Sequence, residues 1–222
     1  RQPSPNLRRA AAQAPAGGGR LYVGTVDLDS RRFVVWNMGL IATYGTPEAA
    51  RLFRRVMLAS SAIPVVFPPV MINVVAEGEE YDEMHVDGFV GANVFMNAGV
   101  FDPTAIYRRA GRLAYEDTFL IHNGQLHTSP TPTEHSLRGI AMRVIDTAGR
   151  AGMVGDLFRE FAFAQRNNAN FHWITIAESV EVPDPIRFDP KAMSELYHTG
   201  YEVALAGPVW LTRPPAFQEA EG

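Results

Sequence analysis

The sequence predicts an α/β fold, a layered sheet flanked by helices, and three observations carry that prediction. Strand-like stretches such as RLYVGTV, RRFVVWN, TFLIHNGQ and FHWITIA alternate with stretches whose apolar residues recur at three- and four-residue spacing. Capping residues open the helix-like stretches, and no segment repeats. The chain has 222 residues, 46% apolar and 20% charged, which is enough to bury a real core.

Residues 1–19 are rich in Ala, Pro, Gly and Arg and close on Gly17-Gly18-Gly19, the composition of a flexible linker or loop. The stretch RLYVGTVDLDSRRFVVWNMGLIA then reads as two strands around a polar turn at Asp29-Ser30-Arg31. Thr46-Pro47-Glu48 opens a helix, with Thr as N-cap, Pro at the first helical position and an acid at the positive end of the dipole. Ala49, Leu52, Phe53, Val56 and Met57 continue it, and Pro64 bars it from passing Ile63. Beyond Pro68-Pro69 come an apolar run from Val70 to Val75, an acidic turn from Glu77 to Asp82 and a strand running into Asp87-Gly88.

TFLIHNGQ is the next strand. Thr131-Pro132-Thr133-Glu134 reads as a capping box ahead of Leu137, Ile140, Ala141, Val144, Ile145 and Ala148. Gly149, Gly152 and Gly155 mark a break before Leu157, Phe158, Phe161 and Ala162 resume the helical period. FHWITIA is a buried strand, and Asp189-Pro190 opens a last helix. Residues 20–222 are expected to form part of one domain.

Composition narrows the function classes. A net charge of −4 without a clustered basic excess argues against a nucleic-acid partner. There are no cysteines, so disulfides, thiolate metal sites and a cysteine nucleophile are excluded. No stretch approaches the roughly 20 unbroken apolar residues that span a bilayer. The chain begins Arg1-Gln2-Pro3-Ser4-Pro5 rather than with Met, and is expected to be a fragment of a longer gene product.

Two segments are more informative than the rest: LASSAIPVVFPPV, Leu58 to Val70, and MHVDGFVGANVF, Met84 to Phe95. With LYVGTVDLDSRRFVVWN upstream and FDPKAMSELYHTGYEVA near the end, they resemble the patatin-like phospholipase family, in the family's order, over roughly residues 20 to 205. The resemblance implies that residues 20–222 are the C-terminal portion of a patatin-like catalytic domain. It also implies a serine–aspartate dyad: a serine in a G-x-S-x-G turn attacks a lipid ester carbonyl, and the aspartate of a D-G-G or D-G-A motif takes its proton directly. A hydroxyl is a weak nucleophile until a positioned base accepts its proton, and backbone amides aimed at the oxyanion supply much of the rate.

By position in the motif, Asp87 is the dyad base, with Gly88 and Asn93 supporting its loop. Ser60, Ser61, Pro64, Phe67 and Pro68 fall in the segment that lines the cleft wall. Phe89 departs from the family's small residue. None of the eight serines, Ser4, Ser30, Ser60, Ser61, Ser129, Ser136, Ser179 and Ser194, sits in a G-x-S-x-G setting. The resemblance therefore places the nucleophile and the oxyanion loop upstream of Arg1, either on a separate segment, which could be a separate chain, or absent. The activity implied is phospholipase A, lysophospholipase or esterase chemistry on a lipid or acyl-ester substrate, with transient membrane-surface contact and no metal or organic cofactor. The rival reading is an inactive lipid-binding or interaction module.

Other residues point less far. Asp27 and Asp29 are what a hairpin turn contains anyway. His122, His127 and His135 lack a matching carboxylate cluster for a metal. His85, two residues before Asp87, is expected on the opposite face of the strand and so away from the dyad.

Overall fold

A computed structural model describes residues 20–96, 117–127, 130–182 and 188–215. The linker expected over residues 1–19 lies outside the described residues. The chain divides into two compact units, one of residues 1–95 and 136–149, the other of residues 96–135 and 150–222.

The first unit is a four-stranded antiparallel sheet in the order β2-β1-β4-β3, made of β1 (Tyr22–Asp27), β2 (Arg32–Asn37), β3 (Val70–Ala76) and β4 (Glu79–Asp87). Two hairpins build it. In the first, the Asp27 carboxylate accepts from Asp29 N, 3.0 Å, and from the Ser30 hydroxyl, and Arg31 takes φ 57° to return the chain. In the second, only Glu77 and Gly78 separate the strands, and both have positive φ, 54° and 88°. That is the two-residue loop whose twist matches a hairpin. The acidic run is thus mostly strand: Glu79 to Asp82 are exposed residues of β4 rather than part of a long turn.

Helices α1 (Met38–Thr43) and α2 (Pro47–Ala59) belong to the same unit. The apolar pattern predicts strand through MGLIA, but β2 stops at Asn37, whose side chain caps α1 by accepting from Leu40 N, 2.9 Å. Helix α2 begins as expected, with Thr46 Oγ1 accepting from Ala49 N, 3.1 Å, and Pro47 in the first turn. Met38, Phe53, Val56 and Ile72 form the buried centre, with Val23, Trp36, Val70 and Val74 packed against it. Burial of each large side chain there contributes about 1.5–3 kcal/mol.

The second unit holds a parallel pair, β5 (Asp117–His122) with β6 (Asn170–Thr175). Between them in sequence runs α3 (Leu137–Arg166), whose first part falls in the first unit and whose remainder falls in the second. The helix starts at Leu137, three residues past the end of the expected capping box. Ser136 is the cap, its Oγ accepting from Gly139 N at 3.0 Å. Nor does it break: Gly149, Gly152 and Gly155 all lie inside one 30-residue helix. Among the described residues of this unit, Leu120, Met153, Leu157, Ala164, Phe171, Trp173 and Pro214 are buried. The last helix, α4 (Pro190–Ala206), is capped by Asp189, whose Oδ1 accepts from Ala192 N at 2.8 Å. The architecture is mixed α/β, as predicted, but its main sheet is antiparallel.

Candidate functional site

Asp87 is the last residue of β4, a central strand of the four-stranded sheet. It caps a 3-10 turn over Gly88–Val90, with Oδ1 accepting from Phe89 N at 3.1 Å. That is the only hydrogen bond its carboxyl group makes among the described residues, so Oδ2 is uncommitted. The carboxyl is half-buried, and burial pushes it above the ordinary aspartate range against the opposing pull of the Phe89 amide.

The two informative segments meet here. Asp87 N donates to the carbonyl of Ala62, 3.1 Å, so the ASSAIP segment is tied to the residue that opens the DG turn. Ala62 itself is buried. Ser60 ends α2, and Ser61 Oγ turns back to Met57 O at 3.1 Å, an ordinary helix-end bond. Pro64 is half-buried, whereas Phe67 and Pro68 are exposed. Phe67 N donates to Ile63 O, 2.9 Å, closing the turn that contains Pro64. Within this turn Val65 takes φ 70°, a left-handed conformation that a β-branched residue adopts only at a cost of about 1–3 kcal/mol.

Gly88 is required by proximity. A Cβ placed on it would lie 2.8 Å from the carbonyl oxygen of Gly24 on the neighbouring strand, backbone that has little room to give. Asn93 Nδ2 donates to Gly149 O of α3, 3.1 Å. The Phe89 ring packs on the same glycine, where an added Cβ would come within 3.3 Å of it. The bulk at Phe89 is thus accommodated by the absence of a side chain at Gly149.

His85 was expected on the face opposite Asp87. Residues two apart on a strand share a face, and the contacts agree. His85 Nδ1 lies 3.0 Å from Thr25 Oγ1, and Thr25 is the register partner of Asp87. Trp36 Nε1 donates to Thr25 Oγ1 at 2.8 Å, so the same hydroxyl joins the indole to His85 Nδ1. On the other side of the ring, His85 Nε2 lies 3.1 Å from Glu83 Oε2. Both ring nitrogens are committed, and His85 and Thr25 are fully buried. A serine–histidine–aspartate triad through His85 is therefore disfavoured, but by these bonds and not by strand alternation.

A scan against models of known protein families finds no match to this chain, and a search of curated proteins finds none.

This network, buried at Thr25 and His85 and half-buried at Trp36 and Glu83, is not legible in the sequence. Its residues, Thr25, Trp36, Glu83 and His85, look individually like ordinary strand positions. Asp27 and Asp29 serve their turn, Asp29 Oδ2 also accepting from Met84 N at 3.0 Å. In the second unit His122 closes β5, its Nδ1 lying 3.0 Å from Thr175 Oγ1, which itself donates to Gly124 O at 2.6 Å. Burial, reinforced by the Arg150 charge, holds His122 below the usual histidine range. No group of three or more His, Asp or Glu suited to a metal ion occurs among the described residues.

Proposed function

We propose that this chain carries the base of a serine–aspartate lipid acyl hydrolase of the patatin-like type. The observation that carries the reading is the setting of Asp87. It has one carboxylate oxygen fixed by the Phe89 amide and the other uncommitted among the described residues, and the ASSAIP segment is bonded to its own backbone N–H. The fixed oxygen sets the orientation of the group. The free oxygen is the one that would take a proton from an attacking hydroxyl. Burial raises the carboxyl's proton affinity, which makes it a stronger base than an exposed aspartate.

The reaction needs a serine from residues outside this sequence, because none of the eight serines here lies in a G-x-S-x-G sequence. Attack on the ester carbonyl would give an acyl-serine and release the alcohol. Hydrolysis of the acyl-serine would then use Asp87 again as base toward water. The chemistry on Asp87 calls for no metal or organic cofactor. Phe89, with its bulk beside the catalytic loop, is the feature that favours the rival reading of an inactive lipid-binding module.

The test is made on the full-length protein with a fluorophosphonate probe and a chromogenic acyl ester. The expected outcome is one labelled serine and ester turnover that falls at least about 10³-fold in Asp87→Asn, the scale of losing an essential catalytic group. Absence of both labelling and turnover in the unsubstituted protein would leave the binding module as the surviving reading.

A further inference from the structure

The first unit contains a groove of about 480 Å³ that no part of the proposed chemistry uses. Its volume is in the range of roughly 300–1,000 Å³ typical of small-molecule sites. Ile41 of α1, Ala49 and Leu52 of α2 and the buried Ile72 of β3 give it an apolar lining. Its polar groups are unevenly committed. Arg51 is neutralised by Glu48, 2.7 Å away, and Thr46 Oγ1 is spent capping α2. Arg55 lines the same groove with no hydrogen bond or ion pair among the described residues, and the same holds for the Tyr44 hydroxyl. The lining thus combines an apolar surface with one uncompensated guanidinium and a free phenol.

We propose that this groove binds a single-chain amphiphile with a carboxylate head, a fatty acid anion. The alkyl chain lies on Ile41, Leu52 and Ile72, and the carboxylate pairs with Arg55, whose planar fork suits two carboxylate oxygens. Tyr44 donates to the same head. A neutral alcohol of equal chain length would leave Arg55 without its partner, and a zwitterionic head would set a cation beside it. The inference does not depend on the role of Asp87.

The test is calorimetric titration of the chain with decanoate below its micellar range, with decanol and decylphosphocholine as the neutral and zwitterionic arms. Decanoate is expected to bind at one-to-one stoichiometry. Decanol and decylphosphocholine should each bind at least about 5-fold more weakly, and Arg55→Gln should weaken decanoate by a similar factor while leaving decanol unchanged. Arg55→Lys should recover part of the loss. Ala49→Trp should block decanoate, with circular dichroism confirming an intact fold; if that variant does not fold, the exposed Arg55 substitutions carry the test. Failure of decanoate to bind, equal affinity for decanol, or unchanged affinity in Arg55→Gln would each overturn the proposal.

Discussion

Two aspartates on one face of the sheet, Asp27 and Asp87, are both pushed up by burial but end on opposite sides of the ordinary value. Burial pushes Asp27 up, but the Ser30 hydroxyl and the Asp29 and Ser30 amides outweigh it and hold the carboxyl below its ordinary value. Asp87 has a single amide against its burial and stays raised. A depressed carboxyl stabilises the fold above its unfolded value of 3.8 and loses that contribution as pH falls through the folded value. A raised carboxyl does the reverse: its ionisation opposes folding, so the penalty grows as pH climbs from 3.8 through the folded value and persists above it. Asp87→Asn is therefore expected to raise Tm at pH 7, with the gain vanishing below about pH 3.8. Asp27→Ala should lower stability at pH 7 by about 1–3 kcal/mol, the scale of charge-assisted bonds lost at a turn. Thermal melts of the two variants across pH 3–8 check both signs; a parallel response would refute the assignment.

At the scale of elements, β5 alternates sharply: Leu120 is 6% exposed and Ile121 is 74% exposed. Leu120→Ala should cost about 2–5 kcal/mol, whereas Ile121→Thr should stay within about 0.5 kcal/mol, as denaturant midpoints would show. Elements were legible wherever a local rule decides them. Alternation gave the hairpin strands, and Thr46-Pro47 gave the start of α2. The stop at Asn37 was hidden because Val34, Val35 and Trp36 run straight into apolar MGLIA. The continuity of α3 was hidden because each glycine weakens a helix by about 1 kcal/mol, a deficit that local reading cannot set against packing. At the candidate site, Asp87-Gly88 stood out in the sequence. Its bond to Ala62 did not, since that contact joins residues far apart in the chain. Strand order was likewise out of reach, because pairing partners are not written in a single strand.

For the molecule as a whole, charge and exposed apolar surface pull against each other. The chain carries −4 at pH 7 and has a pI of about 5.9. Meanwhile Phe119 and Ile121 on β5 and Leu137 on α3 are each more than half exposed. A parallel pair is ordinarily covered on both faces, whereas among the described residues these side chains of β5 are exposed. Charge repulsion is what opposes association through such surfaces, and it fades toward the pI. Light scattering at fixed protein concentration should therefore show self-association rising as pH drops from 8 to 6. Ile121→Lys should suppress the rise; an unchanged profile in that variant would place the sticky surface elsewhere.

The crowding around Phe33 carries an evolutionary consequence. An added Cβ at Gly91 would meet Phe33 Cδ2 at 2.9 Å, and one at Gly24 would strike the tip of the same ring. The obstruction at Gly88 comes first from the Gly24 backbone, 2.8 Å away. Among descendants of this sequence, alanine at 24 should therefore appear together with a smaller residue at 33, and alanine at 91 with smaller residues at both 33 and 26, since Val26 Cγ2 stands at the same 2.9 Å; both would be visible as covariation. Position 88 has no such escape, because shrinking Phe33 does not move the Gly24 carbonyl. The glycine that follows the candidate base should be the last of the three to drift.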